Sequence, residues 1–186
     1  MVGLGALWLP ILLSSVVVFI ASSLIHMALK YHATDFSGMP GEAAVAEAMR
    51  RQGVGPGNYM IPHCGSHAEA RTPENLKRFE DGPVGVFMIA PRGMPNMGRH
   101  LTLWFLYTVA IGFMVAYVAS RTLAPGAEYL TVFRLVGTVA FLAYAGSEPV
   151  QSIWKFVHWS TTAKLVLDGL IYGLLTAGVF GWLWPN

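Results

Sequence analysis

The chain has 186 residues, a formal charge of +2, 54% hydrophobic residues and only 12% charged ones. Soluble domains carry about 25% charged residues, so water cannot be the solvent of the whole surface, and the small net charge gives no ground for nucleic-acid binding. A single cysteine excludes an intramolecular disulfide framework.

The first predicted element is "LWLPILLSSVVVFIASSLIHMAL", Leu7 to Leu29. At about 1.5 Å of rise per residue it is long enough to cross a hydrocarbon core of about 30 Å. No Lys or Arg precedes Lys30, so the basic n-region of a cleaved signal peptide is missing and the segment is read as a retained helix. His26 lies near its end. An intramembrane histidine is a functional suspect by default; it could ligate a haem or bond a quinone carbonyl. Haem with two axial histidines wants a second histidine at matching depth, and none lies well inside a span. The plainer expectation is a bond from His26 to a polar neighbour such as Ser22, Ser23 or Tyr144.

A polar insert follows, residues 30 to 100, too patterned for a plain linker. "GEAAVAEAMRRQG" orders good helix formers before Gly53. "NYMI" reads as a short strand. "TPENLKRFEDG" predicts a second short helix, with Thr72 as N-cap, Pro73 at the first helical position and Gly82 past the end. "VGVFMIA" is the best strand in the chain, and "PRGMPNMG" is a Pro/Gly turn. The insert is thus expected to form a small α/β cap with too few apolar residues for a large core.

Within the cap, "MIPHCGSHAE" holds His63, Cys64 and His67. Imidazole and thiolate ligate zinc or copper, which makes these three the candidate metal ligands. Structural zinc motifs, however, draw ligands from two separate segments, and the chain offers no second cysteine. The alternative is a polar loop; a reactive thiol would need its pKa lowered by its neighbours.

Three more spans follow: "LTLWFLYTVAIGFMVAYVAS" (Leu101 to Ser120), "YLTVFRLVGTVAFLAYAG" (Tyr129 to Gly146) and "AKLVLDGLIYGLLTAGVFGWLW" (Ala163 to Trp184). The short link "RTLAPGAE" makes the second and third antiparallel neighbours. The aromatic-rich link "SEPVQSIWKFVHWSTT" is expected to lie along the membrane surface as a turn or short helix. The third span contains Arg134, expected to snorkel outward or to pair with Glu128. Asp168, in the fourth span, is four residues after Lys164, and an i,i+4 pair is expected between them. Gly169, Gly173, Ala177 and Gly181 recur every four residues, a smooth stripe for close helix packing against the first or third span, or against another subunit.

The fold expected is therefore an all-α membrane protein: a four-transmembrane-helix bundle, with helix one in 1–29, the polar insert in 30–100 and helices two to four in 101–186. Lys30, Arg92, Arg99, Lys155 and Lys164 flank helix ends on the insert side, while Arg121 and Arg134 lie toward the other. The positive-inside rule places the insert in the cytoplasm and both termini outside. Trp104, Trp154 and Trp159 fall near one boundary and Trp8, Trp182 and Trp184 near the other, as interfacial belts do.

"YHATDFSGMPGEAAVAEAMRRQGVGPGNYMIPHC", "GPVGVFMIAPRGMPNMG" and "LVGTVAFLAYAGSEPVQSIW" together resemble a family of small bacterial inner-membrane proteins of unassigned function. The resemblance covers most of the chain. It implies about four transmembrane helices and brings no catalytic or binding residues with it.

No nucleophile elbow, P-loop, dinucleotide fingerprint or metalloprotease helix is present, so no enzyme class is indicated. The first functional expectation is an accessory or assembly subunit of a larger bacterial membrane complex, energy-transducing, respiratory or photosynthetic, whose partners are the lipid bilayer and other membrane subunits or a second copy of the chain. The second is a membrane redox protein binding zinc, copper or haem through His63, Cys64 and His67, or through His26. The third is a small transporter or channel lined by His26, Arg134 or Asp168.

Overall fold

In the computed structural model, which describes residues 1–186, the chain divides into two compact units. One comprises Met1–Asp35, Asn96–Ser152 and Val157–Asn186; the other comprises Phe36–Pro95 with Ile153–Phe156.

The first unit is a helix bundle. A 3-10 turn (Leu4–Leu7) leads into α1 (Trp8–Met27), and a second 3-10 turn (Lys30–Thr34) follows it. The other long helices are α5 (Met97–Thr122), α6 (Tyr129–Ala145) and α8 (Trp159–Trp182). Four stretches, Leu4–Met27, Met97–Thr122, Tyr129–Lys155 and Trp159–Trp182, are long and apolar enough to cross a membrane. Many of their large apolar side chains face outward: Ile20, Leu24, Leu106, Met114 and Leu142 are all exposed. Lipid is the solvent that makes such a surface favourable.

Inside the bundle the core is small-residue rich. Leu7, Val18, Val115, Ala116, Val132, Val136, Ala140, Ala177 and Phe180 are fully enclosed. The glycine stripe meets the third span: a Cβ added at Gly169 would stand 2.6 Å from the Ala145 Cβ, one at Gly173 3.1 Å from the Phe141 amide nitrogen, and one at Gly181 2.7 Å from the Tyr129 ring. Ala177 continues the row, its Cβ 3.2 Å from where a Cβ at Gly137 would lie. Backbones this close gain dispersion contacts that lipid tails could not supply.

Several boundaries differ from the sequence reading. α5 starts four residues before Leu101 because the Asn96 side chain caps it, accepting from the Arg99 amide at 3.0 Å. The link after α6, expected as a turn or short helix, holds the short helix α7 (Glu148–Lys155), which follows Gly146 and Ser147 directly. The bundle unit also keeps Lys30–Asp35, beyond the expected end of the first segment at Leu29. Arg134 is exposed and lies in no ion pair, so the expected partnership with Glu128 is not formed.

The second unit contains α2 (Glu42–Arg51), β1 (Gly57–Ile61), α3 (His67–Ala70), α4 (Pro73–Asp81) and β2 (Gly85–Ile89). The strands pair antiparallel, with Tyr59 opposite Phe87. Thr72 caps α4 through the Asn75 amide, and Gly82 ends it at a positive φ of 61°. On α2, Glu47 receives both Arg50 and Arg51 at 2.9 Å. These two hydrogen bonds hold its carboxyl below the ordinary range. Between Phe36 and Pro95 only Pro62 and Asn75 are buried.

Candidate functional site

At the insert-side end of the bundle, the chain leaves α1 through Ala28 and an extended Leu29, then tightens into the turn Lys30–Thr34. That turn carries Tyr31 and His32 back over the helix ends. His32 stacks on His26, ring centroids 4.5 Å apart and planes within 10°. Both face Asp168, one turn deeper on α8 than Lys164 and only 2% exposed.

The bonding is dense. Asp168 accepts from the Tyr31 hydroxyl on one oxygen. Its other oxygen lies 2.8 Å from His32 Nε2 and 3.9 Å from His26 Nε2. His32 Nδ1 lies 2.6 Å from Asp35, whose second oxygen receives Lys164 Nζ at 2.7 Å. Lys164 also donates to Thr34 at 2.8 Å. His26 Nδ1 lies 3.0 Å from the Ser22 carbonyl of its own helix. The expected Lys164–Asp168 pair is therefore replaced. Asp168 points into the bundle and its oxygens are engaged by Tyr31 and His32, whereas Lys164, a turn outward, reaches the carboxylate that the returning turn supplies.

Desolvation pushes the Asp35 carboxyl up, but the hydrogen bonds from Lys164 and His32 outweigh it and leave it below the ordinary range. Burial first, and the Asp168 carboxylate second, push the Tyr31 phenol well above its usual value. Tyr31 therefore stays protonated and acts as a donor at any physiological pH.

Two features make this constellation more than a tether. His26, His32 and Asp168 each offer one ligand atom, and these atoms lie within 4.8 Å of one another. The second feature is proton arithmetic. A neutral imidazole carries a single N–H, yet both nitrogens of His32 face carboxylates. With Nδ1–H given to Asp35, the short Nε2 contact to Asp168 requires a cation on that side, either a proton or a metal ion. His26 is set the same way: its Nδ1–H goes to the Ser22 carbonyl, leaving Nε2 as the free ligand atom. Orientation of ligating histidines by a carboxylate or carbonyl on the other nitrogen is the usual outer shell of metal sites, and two histidines with one carboxylate are the donor types of a facial set; the near-parallel stack of the two rings has to open before both Nε2 lone pairs meet one ion.

His63, Cys64 and His67 are placed differently. His63 and His67 are exposed and Cys64 is half-buried. The stretch is a capped turn: Ser66 accepts from the Glu69 amide at 3.1 Å, and Glu69 reaches back to the Gly65 amide at 2.7 Å. These three side chains form no group of converging ligand atoms; the group that converges is His26, His32 and Asp168. Glu69 thus acts as the second half of a capping pair with Ser66.

Beside Asp168 lies a cavity of about 650 Å³ among α1, α5, α6 and α8. His26, Ser22 and Asp168 border it together with the rings of Trp104, Tyr107, Tyr144 and Tyr172. Trp104 donates its indole N–H to Ser22 at 2.8 Å. Tyr172 is buried, and its hydroxyl is the one enclosed side-chain polar atom without a hydrogen-bond partner.

Sequence reasoning singled out His26 and Asp168 but gave them separate explanations, and it left His32, Asp35 and Tyr31 unassigned. The available signal was the cluster "HMALKYHATD", two histidines and an aspartate around the end of a span, with one aspartate at matching depth on another.

A bundle of four helices long and apolar enough to cross a membrane defines the class: a multi-pass membrane protein. No family model, curated protein or solved structure matches the chain.

Proposed function

We propose that this is a metal-binding protein of the bacterial inner membrane, with the insert in the cytoplasm and both termini outside. Its working part is the site formed by His26, His32 and Asp168, which takes a first-row divalent ion such as zinc, copper or iron. One observation carries the reading: the ligand atoms of His26, His32 and Asp168 lie within 4.8 Å of one another, around a His32 Nε2 whose contact to Asp168 calls for a proton or a metal ion. The two imidazoles and the carboxylate supply the donor types that such ions take, reached once the exposed His26 ring turns out of its stack on His32, and Asp35 supports His32 from behind. The orientation rests on Lys30, Arg92, Arg99, Lys155 and Lys164 lying on the insert side.

The test is titration of the detergent-purified chain with Co(II), read by ligand-field absorption, alongside elemental analysis. One saturable site is expected, lost in Asp168→Asn and retained in the Cys64→Ala variant. A variant series in which Cys64→Ala abolishes binding and Asp168→Asn does not would return the site to the insert.

A second reading, an accessory or assembly subunit, is supported by the insert. Sixty residues from Phe36 to Pro95 bury no large apolar side chain, so the unit gains little stability from a core of its own. A partner subunit, or a second copy of the chain, would supply the missing contacts. Cross-linking in native membranes followed by identification of the adducts tests this; a chain that is monomeric and uncross-linked there speaks against it.

A further inference from the structure

One charge inside the spans is left without a partner. Arg134 stands five residues after Tyr129, the start of α6, which is about 7.5 Å along the helix axis. The stretch around it is apolar enough to cross a membrane. Its side chain is exposed and belongs to none of the ion pairs. At the same end of the bundle Tyr129, packed on Gly181, and Trp182 are both exposed, as residues at a membrane interface are. Arg134 thus lies between headgroup level and the acyl chains, where a guanidinium is costly unless an anion meets it.

A groove of about 500 Å³ between α5 and α6 passes this side chain. Thr131, one turn nearer the start of α6, shares the face of Arg134; it is exposed and its hydroxyl is free to donate. Thr122 and Thr138 also line the groove, but their hydroxyls donate to the Val118 and Arg134 carbonyls at 2.8 Å. Leu123 forms an apolar wall from the end of α5, and Leu135 and Val139, four residues apart, continue along α6 toward the middle of the span. Donors near the helix end and an apolar wall deeper in follow the order of a phospholipid, with its phosphate at the boundary and its acyl chain inward.

Charge narrows the class. Arg134 is the one charged residue in the lining, and a guanidinium pairs with a phosphate through two parallel N–H donors. No carboxylate lines the groove to meet the ammonium of a zwitterionic headgroup, and a neutral diacylglycerol would leave the guanidinium unpaired. We propose that the α5–α6 groove binds an anionic phospholipid such as phosphatidylglycerol, its phosphate on Arg134 with Thr131 as a further donor, and one acyl chain along Leu135 and Val139. This site shares no residue with the proposed metal site, and the two can fail separately.

The experiment titrates the full chain, delipidated in mild detergent, with phosphatidylglycerol and counts bound lipid by native mass spectrometry. One saturable lipid is expected. Arg134→Gln should weaken it about tenfold or more, the effect of losing hydrogen bonds to a charged group. Its side chain is exposed, so the fold is retained, which circular dichroism and the unfolding midpoint verify. Arg134→Lys keeps the charge without the fork and should fall between. Arg121→Gln removes the same charge from the last turn of α5, outside the groove, and should leave affinity within about twofold. Thr138→Trp fills the groove without changing its charge and should abolish saturation. Equal losses in the two glutamine variants, or binding that Thr138→Trp leaves unchanged, overturn the proposal. Phosphatidylcholine bound as tightly overturns the choice of an anionic headgroup, and diacylglycerol bound as tightly overturns the phosphate contact. Displacement of the lipid by inorganic phosphate overturns the choice of a lipid.

Discussion

Two histidine-bearing regions of this molecule invite comparison. Residues 63–69 hold His63, Cys64, His67 and Glu69 in one short stretch, the arrangement in which ligands are easiest to notice. His26, His32 and Asp168 are separated by as many as 142 residues in sequence, yet their ligand atoms converge within 4.8 Å. In the first region His63 and His67 are exposed, and Ser66 and Glu69 are spent on capping its own backbone. In the second, Asp168 is buried, His32 half-buried and His26 exposed, so it is the Asp168 carboxylate, cut off from water, that must find its partners inside the protein. Proximity in sequence thus produced a cap, and one buried carboxylate drew its partners from distant segments.

The comparison breaks first at Asp168. Asp168→Ala leaves His32 and Tyr31 facing an apolar gap, and the unfolding midpoint in detergent should report a loss of about 3 kcal/mol or more, together with loss of Co(II) binding. If the variant is as stable as the parent, the cluster around Asp168 is no more consequential than the stretch 63–69. Next comes Gly169→Leu. A side chain here collides with Ala145, forcing α6 and α8 apart at the level of Asp168. A destabilisation of about 2–3 kcal/mol is expected, with weakened Co(II) affinity because the ligands move with the helix.

Asp35 sharpens the contrast through pH. Its carboxyl titrates below the ordinary carboxylate range in the folded chain, so the fold favours its charged form. The stability it contributes is full at neutral pH and is lost only as pH falls through the folded value, below about pH 4. Asp35→Asn should cost about 1–2 kcal/mol at neutral pH, and the difference from the parent should vanish in strong acid. A difference that persists in acid would mean that packing, not charge, is what the substitution removed. The smallest effect belongs to the other region: the double variant His63→Ala and His67→Ala should change the unfolding midpoint by no more than about 0.5 kcal/mol and leave Co(II) binding intact.

By itself the sequence determined the solvent and the frame. Apolar runs of about 20 residues can satisfy their backbone groups in lipid only as helices, and the spacing of Gly169, Gly173, Ala177 and Gly181 marked a face for close approach. Cap and turn signals at Thr72, Pro73 and Gly82 placed α4, because such signals act over a few residues. Tertiary structure decided what meets what. It chose α6 as the helix lying on the glycine row, it gave Lys164 to Asp35 in place of Asp168, and it brought His32 back onto His26. The last two choices depend on the path of one short turn beyond α1, and nothing in the order of residues 28–35 states which helix end that turn will cover.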